Sequence, residues 1–383
     1  AMELALNLAI FEVAIQRDQV ESMKDELQEL LLELPAETMI RSYLAAVLFQ
    51  YFQEDERAIA VLQAGLMIDP LDPELHRWLG RVYIDNEQLE LARASFERSL
   101  ELAPDNPNHY GSMTQLELAT DNLPAALDWM RQASEVDRQD HELAANIARS
   151  LYRLSLPEEG DYWFSRVKAQ APSSGIARSL EVERAVAREE PDQVIALASA
   201  VIVDQIDDRQ GAFGATVFNY VDTMFREGRA KEAYDFLVSV RPDIVQYDQI
   251  ATGVQGLNMQ WASIGLMSGF ETLETRQAAW QAFTAQLDLL GIPWKRDASD
   301  ANHTWDFLMK GEVEPAIEHF LEYELNEPLA SNLNRHRQRL YPLYGPLYED
   351  PRIAARLRED AEHFAALREE VRDMLQQPEW ETP

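Results

Sequence analysis

The sequence predicts an all-α fold in which antiparallel helical hairpins stack into an α-α superhelix, a solenoid. Three observations predict this fold. The 383 residues include only 15 Gly and 18 Pro, a composition that favours long helices over a turn-rich β fold. Apolar residues recur at helical spacing along most of the chain. Small and aromatic residues also recur at a fixed period of 34 residues, which indicates a two-helix repeat.

The repeat is clearest in residues 73–106. Gly80 and Ala92 provide small side chains where two antiparallel helices would meet, and Tyr83 and Phe96 would fill the space between successive hairpins. Pro104 would end the second helix, because proline cannot continue it. This pattern resembles the tetratricopeptide repeat (TPR) family. The resemblance implies a TPR-type superhelix that binds another protein or a peptide.

The same spacing predicts four regular units, residues 39–72, 73–106, 107–140 and 141–174. The third unit departs from the family pattern, because Glu117 stands where a large apolar side chain is typical. The family's tryptophan at the fourth position is also absent from all four units.

We therefore predict four regions along the chain: an N-terminal helical hairpin in 1–38, a regular array in 39–174, degenerate TPR-like hairpins in 175–330 and a C-terminal helical cap in 331–383. The N-terminal hairpin is predicted from Leu4–Gln16 and Asp18–Leu34. After residue 174 the spacing is expected to slip, and turns at Gly228 and Gly311 restore the repeat signal. The tail is expected to close the outer end of an open stack, because hairpins with a constant small rotation do not close on themselves.

Charge and residue usage exclude several functional classes. Lys and Arg total 34 against 67 Asp and Glu, a formal charge of −33, which argues against a nucleic-acid partner. The chain has no Cys, and no two of its seven His lie three or four residues apart, so we predict no metal site. No apolar run reaches the roughly 18 residues of a membrane span, so no membrane insertion is predicted. The absence of Cys suits the cytoplasm and the periplasm alike, which leaves the compartment open.

The sequence also predicts no enzymatic activity. It has no Gly-rich dinucleotide motif, no phosphate-binding loop and no Gly-x-Ser-x-Gly nucleophile turn. We accordingly predict no catalytic residue and no cofactor.

The TPR resemblance implies that the first helix of each unit lines the partner-binding surface. Applied to this register, it selects Tyr43, Gln50, Arg77, Arg81, Gln115, Asn146, Arg149, Tyr152 and Arg153. Arg offers a planar fork for carboxylates, and amide or tyrosine side chains can hold an extended peptide, so an acidic or C-terminal segment is the expected partner. A second interpretation pairs these arginines with Glu74, Asp85 and Glu142 of the same surface, in ion pairs of little energetic worth.

The C-terminal end of the sequence suggests an alternative function. The C-terminal end, with aromatic residues followed by Asp350-Pro351-Arg352 and a charged helix, is similar to the ends of bacterial multidomain proteins that join TPR arrays to DNA-binding or cyclase domains. The resemblance implies a sensory or regulatory region of a bacterial signalling or transcription-regulating protein. In that case the output domain would precede Ala1 and Met2, which look like a cloning remnant.

Overall fold

The computed structural model describes residues 17–204, 212–251, 253–290, 302–330, 333, 342–378 and 380. Throughout these ranges the regular structure is helical, and none of it is a strand. The prediction of an all-α helical-repeat fold is therefore confirmed. The predicted helix Leu4–Gln16 lies outside the described residues, as do residues 334–341 at the start of the predicted cap.

The chain divides into two compact units by its internal contacts, and the division falls between Ala144 and Ala145. We call the described residues before this point the N-terminal unit and those after it the C-terminal unit. The N-terminal unit contains α1 (Arg17–Glu33), α2 (Thr38–Phe52), α3 (Asp55–Leu66), α4 (Pro73–Asp85), α5 (Leu89–Leu102), α6 (Pro107–Ala119), α7 (Leu123–Val136) and the start of α8 (His141–Arg153).

The C-terminal unit continues from α8 to the end of the described chain. It contains α9 (Pro157–Gln170), α10 (Gly175–Ala187), α11 (Pro191–Asp204), α12 (Ala212–Arg226), α13 (Ala230–Val240), α14 (Gly253–Leu266), α15 (Leu273–Leu289), α16 (Asn302–Lys310), α17 (Val313–His319), α18 (Gly345–Tyr348) and α19 (Pro351–Met374). A π-helical turn, Phe320–Glu324, follows α17 directly. None of the described helices combines the length and apolarity needed to cross a bilayer.

A left-handed residue marks the turn inside each of five successive hairpins. Gln53, Glu87, Asp121, Ser155 and Glu189 have φ between 54° and 59°, and they lie 34 residues apart. This conformation costs an L-residue about 1–2 kcal/mol. Because residues of four different types adopt it at one repeat position, helix packing rather than residue preference sets this turn.

The predicted slip of the spacing after residue 174 is wrong. Helices α10 and α11 begin at Gly175 and Pro191, each 34 residues after α8 and α9. Ser174 caps α10 by accepting a hydrogen bond from the Ala177 N–H at 3.1 Å. The 34-residue spacing thus continues through α10 and α11. Ser174 caps the first of these helices and Pro191 begins the second, although the aromatic residues of the earlier units are missing.

Helix pairing in the second regular unit depends on Gly80. A Cβ placed on Gly80 would lie 2.3 Å from the Phe96 ring, which is fully buried. Phe96 packs with Ala92 of its own hairpin and with Met113 and Leu116 of the next. The predicted role of Phe96 is therefore confirmed, because its ring lies between Gly80 of its own hairpin and the first helix of the next hairpin.

Replacing Gly80 with alanine is expected to lower the free energy of unfolding by about 1–2 kcal/mol. The added methyl group displaces the Phe96 ring, and this cost exceeds the gain in helix propensity. The matched control is Gly111→Ala in α6, where a new Cβ would meet nothing within 4 Å. That variant should gain about 0.5–1 kcal/mol. Urea denaturation measures both, and a Gly80 variant as stable as the Gly111 variant would contradict this account.

The C-terminal unit folds back so that its last helix reaches its first hairpin. Near its start, α19 contacts α17 through Arg352 and Glu314, whose side chains lie 2.9 Å apart. Near its end, Arg372 lies 3.8 Å from Glu159 of α9, and the Trp380 ring packs edge-on against Trp163 with centroids 6.0 Å apart. The tail therefore contacts both α17 and α9 of this unit, and the sequence analysis did not predict the contact with α9.

Candidate partner-binding face

The first helices of three successive hairpins lie side by side in the N-terminal unit. Helix α2 contacts α4, and α4 contacts α6. We define the first-helix face as nine exposed or half-buried positions of these helices, chosen by the TPR register: Tyr43, Gln50, Tyr51, Arg77, Trp78, Arg81, Asn108, Gly111 and Gln115. Tyr43 is 59% exposed, which is unusual for a tyrosine and leaves its ring available to another molecule.

Two arginines stack on one tryptophan at the centre of this face. The guanidinium carbons of Arg77 and Arg81 lie 4.8 and 4.9 Å from the centroid of the Trp78 ring. The start of α4 is fixed by Asp72, which accepts hydrogen bonds from the N–H groups of Glu74 and Leu75. The cap thus sets the helix register that brings both guanidinium groups to the indole.

Arg77 is neutralised within its own helix. Its Nε and Nη2 donate to Glu74 Oε2 at 2.9 and 2.7 Å. This pair agrees with the second interpretation of the sequence, in which the arginines of the surface pair with neighbouring carboxylates.

Arg81 has no such partner. It makes no hydrogen bond or ion pair with any residue that the structure describes. The guanidinium stacks on Trp78, three residues earlier, and interacts with Asp85, four residues later, only through the attraction of opposite charges. Burial, together with the nearby charge of Arg77, lowers the pKa of Arg81, and Asp85 partly opposes this effect. An arginine remains protonated regardless, so Arg81 is a cation on this face that no described carboxylate binds by a hydrogen bond or salt bridge.

Two buried polar side chains, Ser99 and His109, lie beside the first turn of α4. Ser99 donates to the Pro73 carbonyl at 2.9 Å and lies 2.5 Å from His109 Nδ1, which therefore carries the proton of that contact. His109 Nε2 lies 3.7 Å from Glu74 Oε1. Burial lowers the pKa of His109, so the ring is neutral at pH 7. With Nδ1 protonated in a neutral ring, Nε2 carries a lone pair and donates no hydrogen bond to Glu74, and it has no hydrogen-bond partner among the described residues.

The predicted site residues on α8 have a different environment, in the C-terminal unit. Arg149 Nε donates to Glu183 Oε1 of α10 at 2.9 Å, and Arg149 Nη1 donates to Asn146 Oδ1 at 2.9 Å. Arg153 Nε lies 3.7 Å from the other oxygen of Glu183, a carboxylate that is only 5% exposed. These arginines thus pair with Glu183, 34 residues after Arg149, and not with Glu142 as the sequence suggested.

Tyr152 cannot contact a partner in this structure. Its side chain is fully buried, and its hydroxyl donates to Asp161 at 2.9 Å. The ring covers Gly160, where an added Cβ would lie 2.6 Å from it. The prediction of Tyr152 as a partner-binding residue is therefore wrong, because the glycine eight residues later creates a space that the ring fills.

A model of the family described as tetratricopeptide repeat matches residues 55–116, which run from α3 into α6. Residues 55–116 therefore contain tetratricopeptide repeats. These repeats place the chain among protein-interaction scaffolds in general. No curated protein matches the chain.

Solved structures of several TPR proteins are similar to this chain. YrrB, a TPR protein with an unusual peptide-binding site, is 20% identical, with 48% of this chain and 93% of YrrB covered and a TM-score of 0.35. The C-terminal part of a TPR repeat-containing protein from Cytophaga hutchinsonii is 13% identical over 73% of this chain and 95% of its own, with a TM-score of 0.38. The P58(IPK) TPR domain is 12% identical over 96% and 99%, with a TM-score of 0.23. At these TM-scores the similarities carry no argument about this chain.

Five of the residues selected from the TPR register belong to α2, α4 and α6 of the N-terminal unit: Tyr43, Gln50, Arg77, Arg81 and Gln115. Asn146, Arg149 and Arg153 belong to the C-terminal unit. Sequence reasoning missed Gly111, although a glycine in the middle of a helix was an available signal. In the part of the chain that the structure describes, no group of three or more His, Asp or Glu is placed to hold a metal ion.

Proposed function

We propose that this chain is a scaffold that binds an acidic segment of a partner protein across the first-helix face of the N-terminal unit. In this proposal Arg81 binds a carboxylate of that segment, from an acidic side chain or a chain terminus. The observation that carries the proposal is the position of Arg81, a half-buried cation that is stacked on Trp78 and forms no hydrogen bond or salt bridge with a described residue.

The surroundings of Arg81 favour a carboxylate over other ligands. Stacking on the indole orients the guanidinium before binding, so less side-chain entropy is lost when its planar fork meets a carboxylate. Partial burial weakens the competition from water, which strengthens a charge-assisted hydrogen bond. Arg77 is already paired with Glu74, so it adds shape and a local positive potential rather than a second free cation.

The remaining predicted residues would contact the rest of the segment. Tyr43 offers an exposed aromatic surface, and the exposed Gln50 and Gln115 offer amide donors and acceptors for a peptide backbone. Asn146, Arg149 and Arg153 are candidates for a further contact region in the C-terminal unit. There two guanidinium groups share the single carboxylate of Glu183, which leaves one positive charge in excess.

The test begins with a displayed library of random twelve-residue peptides, selected on the full chain. A peptide that is enriched is then synthesised with a fluorescein label, and its Kd is measured by anisotropy. We expect acidic peptides, and we expect Arg81→Ala to weaken binding at least tenfold, because a hydrogen bond to a charged group contributes about 1.5–3 kcal/mol.

The matched control is Arg98→Ala, which removes the same charge from α5, where Arg98 pairs with the exposed Glu101. This variant should bind within about twofold of the wild type, since exposed ion pairs contribute little. Circular dichroism and the melting temperature confirm folding of both variants. An equal loss of affinity in the two variants, or no loss with Arg81→Ala, would overturn the proposal.

A further inference from the structure

Gly111 is a glycine in a helix interior that no packing contact explains. In the described helices of the N-terminal unit, Gly65 and Gly80 each have a neighbouring side chain within 3 Å of an added Cβ. Gly111 has nothing within 4 Å and does not adopt a positive φ. Neither a turn nor close helix packing therefore requires a glycine at this position.

Glycine in a helix interior destabilises the helix relative to alanine, because the unfolded chain loses more conformational freedom on folding. In α6 this cost brings no packing benefit within the fold. The open space above Gly111 instead lets another molecule approach the helix backbone closely, which is a recurrent use of glycine.

The position of Gly111 on the first-helix face indicates which molecule this is. Gly111 lies between Asn108 and Gln115 on the one stripe of α6 that is open, since His109, Ser112, Met113, Thr114, Leu116 and Glu117 are buried. Both amide side chains are exposed, and neither makes a side-chain hydrogen bond to the described residues. An amide both donates and accepts, so it can pair with the N–H and the C=O of a peptide group.

We propose that the main chain of an extended partner segment crosses α6 directly over Gly111, and that Asn108 and Gln115 bind its peptide groups. We call this crossing point the seat. This inference depends on the proposed function and adds to it a second mode of recognition. At Arg81 the partner is selected by its charge, whereas at Gly111 it is held by its backbone, whatever its side chains. Any side chain at position 111 occupies the space that the partner's backbone needs.

The test uses the full chain and the fluorescein-labelled peptide selected on the wild type. Gly111→Ala is expected to weaken binding severalfold, and Gly111→Leu at least tenfold, while the melting temperature stays equal to the wild type or rises. The control is Ala94→Leu, which adds similar bulk at an exposed position of α5, on a second helix. It should leave the Kd within about twofold of the wild type.

A second readout separates backbone recognition from a general steric effect. Copies of the peptide that carry a single N-methyl group at successive positions should include at least one that binds at least tenfold more weakly to the wild type. For that position the loss should be much smaller with the Asn108→Ala/Gln115→Ala variant, because the amides that pair with the peptide group are already absent.

The outcomes distinguish this inference from the proposed function. If Arg81→Ala weakens binding but Gly111→Leu does not, the proposed seat at Gly111 is wrong, whereas the proposal of an acidic partner is supported. If Gly111→Leu weakens binding but no N-methylation depends on the two amides, recognition of the backbone is wrong. If no selected peptide depends on Arg81, both the proposed function and the seat are overturned.

Discussion

Replacing Arg93 with alanine is expected to lower the free energy of unfolding by about 3 kcal/mol, because it leaves a buried carboxylate without its counter-ion. Arg93 of α5 donates to Glu117 of α6 at 2.8 Å, and Asn122 Nδ2 donates to the other oxygen of Glu117 at 3.0 Å. The side chain of Glu117 is 5% exposed. Arg93 itself is 37% exposed, so water partly replaces it and the expected loss is at the lower end for a broken buried pair.

Two further variants test the cause of this loss. Arg98→Ala removes an arginine of the same helix that pairs with an exposed carboxylate, and it should cost no more than about 1 kcal/mol. Arg93→Ala combined with Glu117→Leu should recover most of the stability, since an apolar side chain at position 117 needs no counter-ion. Urea denaturation measures all three. Equal losses for Arg93→Ala and Arg98→Ala would show that the ion pair is not the cause.

Replacing Asp161 with alanine is expected to lower the free energy of unfolding by about 3 kcal/mol. This carboxylate accepts hydrogen bonds from the Tyr152 hydroxyl at 2.9 Å, from Arg184 Nε and Nη2 at 2.7 and 2.8 Å, and from Arg188 Nη2 at 2.7 Å. It thereby joins α8, α9 and α10. Its loss leaves a buried hydroxyl without an acceptor and two arginines without their counter-ion.

The contribution of Asp161 should also depend on pH, with a definite sign. Burial alone would raise its pKa, but the hydrogen bonds from Arg184 and Tyr152 and the two positive charges outweigh burial, so the pKa lies below its ordinary value of 3.8. A lowered carboxyl pKa stabilises the fold above the ordinary value, and that stability is lost as the pH falls through the lower, folded value. The stability difference between the wild type and Asp161→Ala should therefore stay constant near neutral pH and shrink below pH 3.8. The control Glu158→Ala, an exposed carboxylate of α9, should change stability little. A difference that grows as the pH falls would contradict this account.

The sequence by itself determined the helical class and the 34-residue period of the units before residue 174. These features are local, because apolar spacing, proline starts and the glycine at Gly80 act within one hairpin or between adjacent hairpins. The same register selected Tyr43, Gln50, Arg77, Arg81 and Gln115 as candidate partner-binding residues. It also identified Glu117 as a departure from the family pattern. It did not indicate that Arg93 pairs with the buried Glu117 carboxylate.

Only the tertiary structure decided which of these groups are available to a partner. Arg77 and Arg81 have the same residue type and lie one turn apart, yet Glu74 forms a salt bridge with the first, whereas the second forms no salt bridge with a described residue. Arg149 pairs with a carboxylate 34 residues away, and Tyr152 turns inward over Gly160. The return of α19 to α9 likewise joins residues more than 200 positions apart, Trp163 and Trp380. The physical reason is that helix periodicity is encoded within a few residues, whereas the counter-ion of a charge and the space around a ring depend on side chains that only the folded stack brings together.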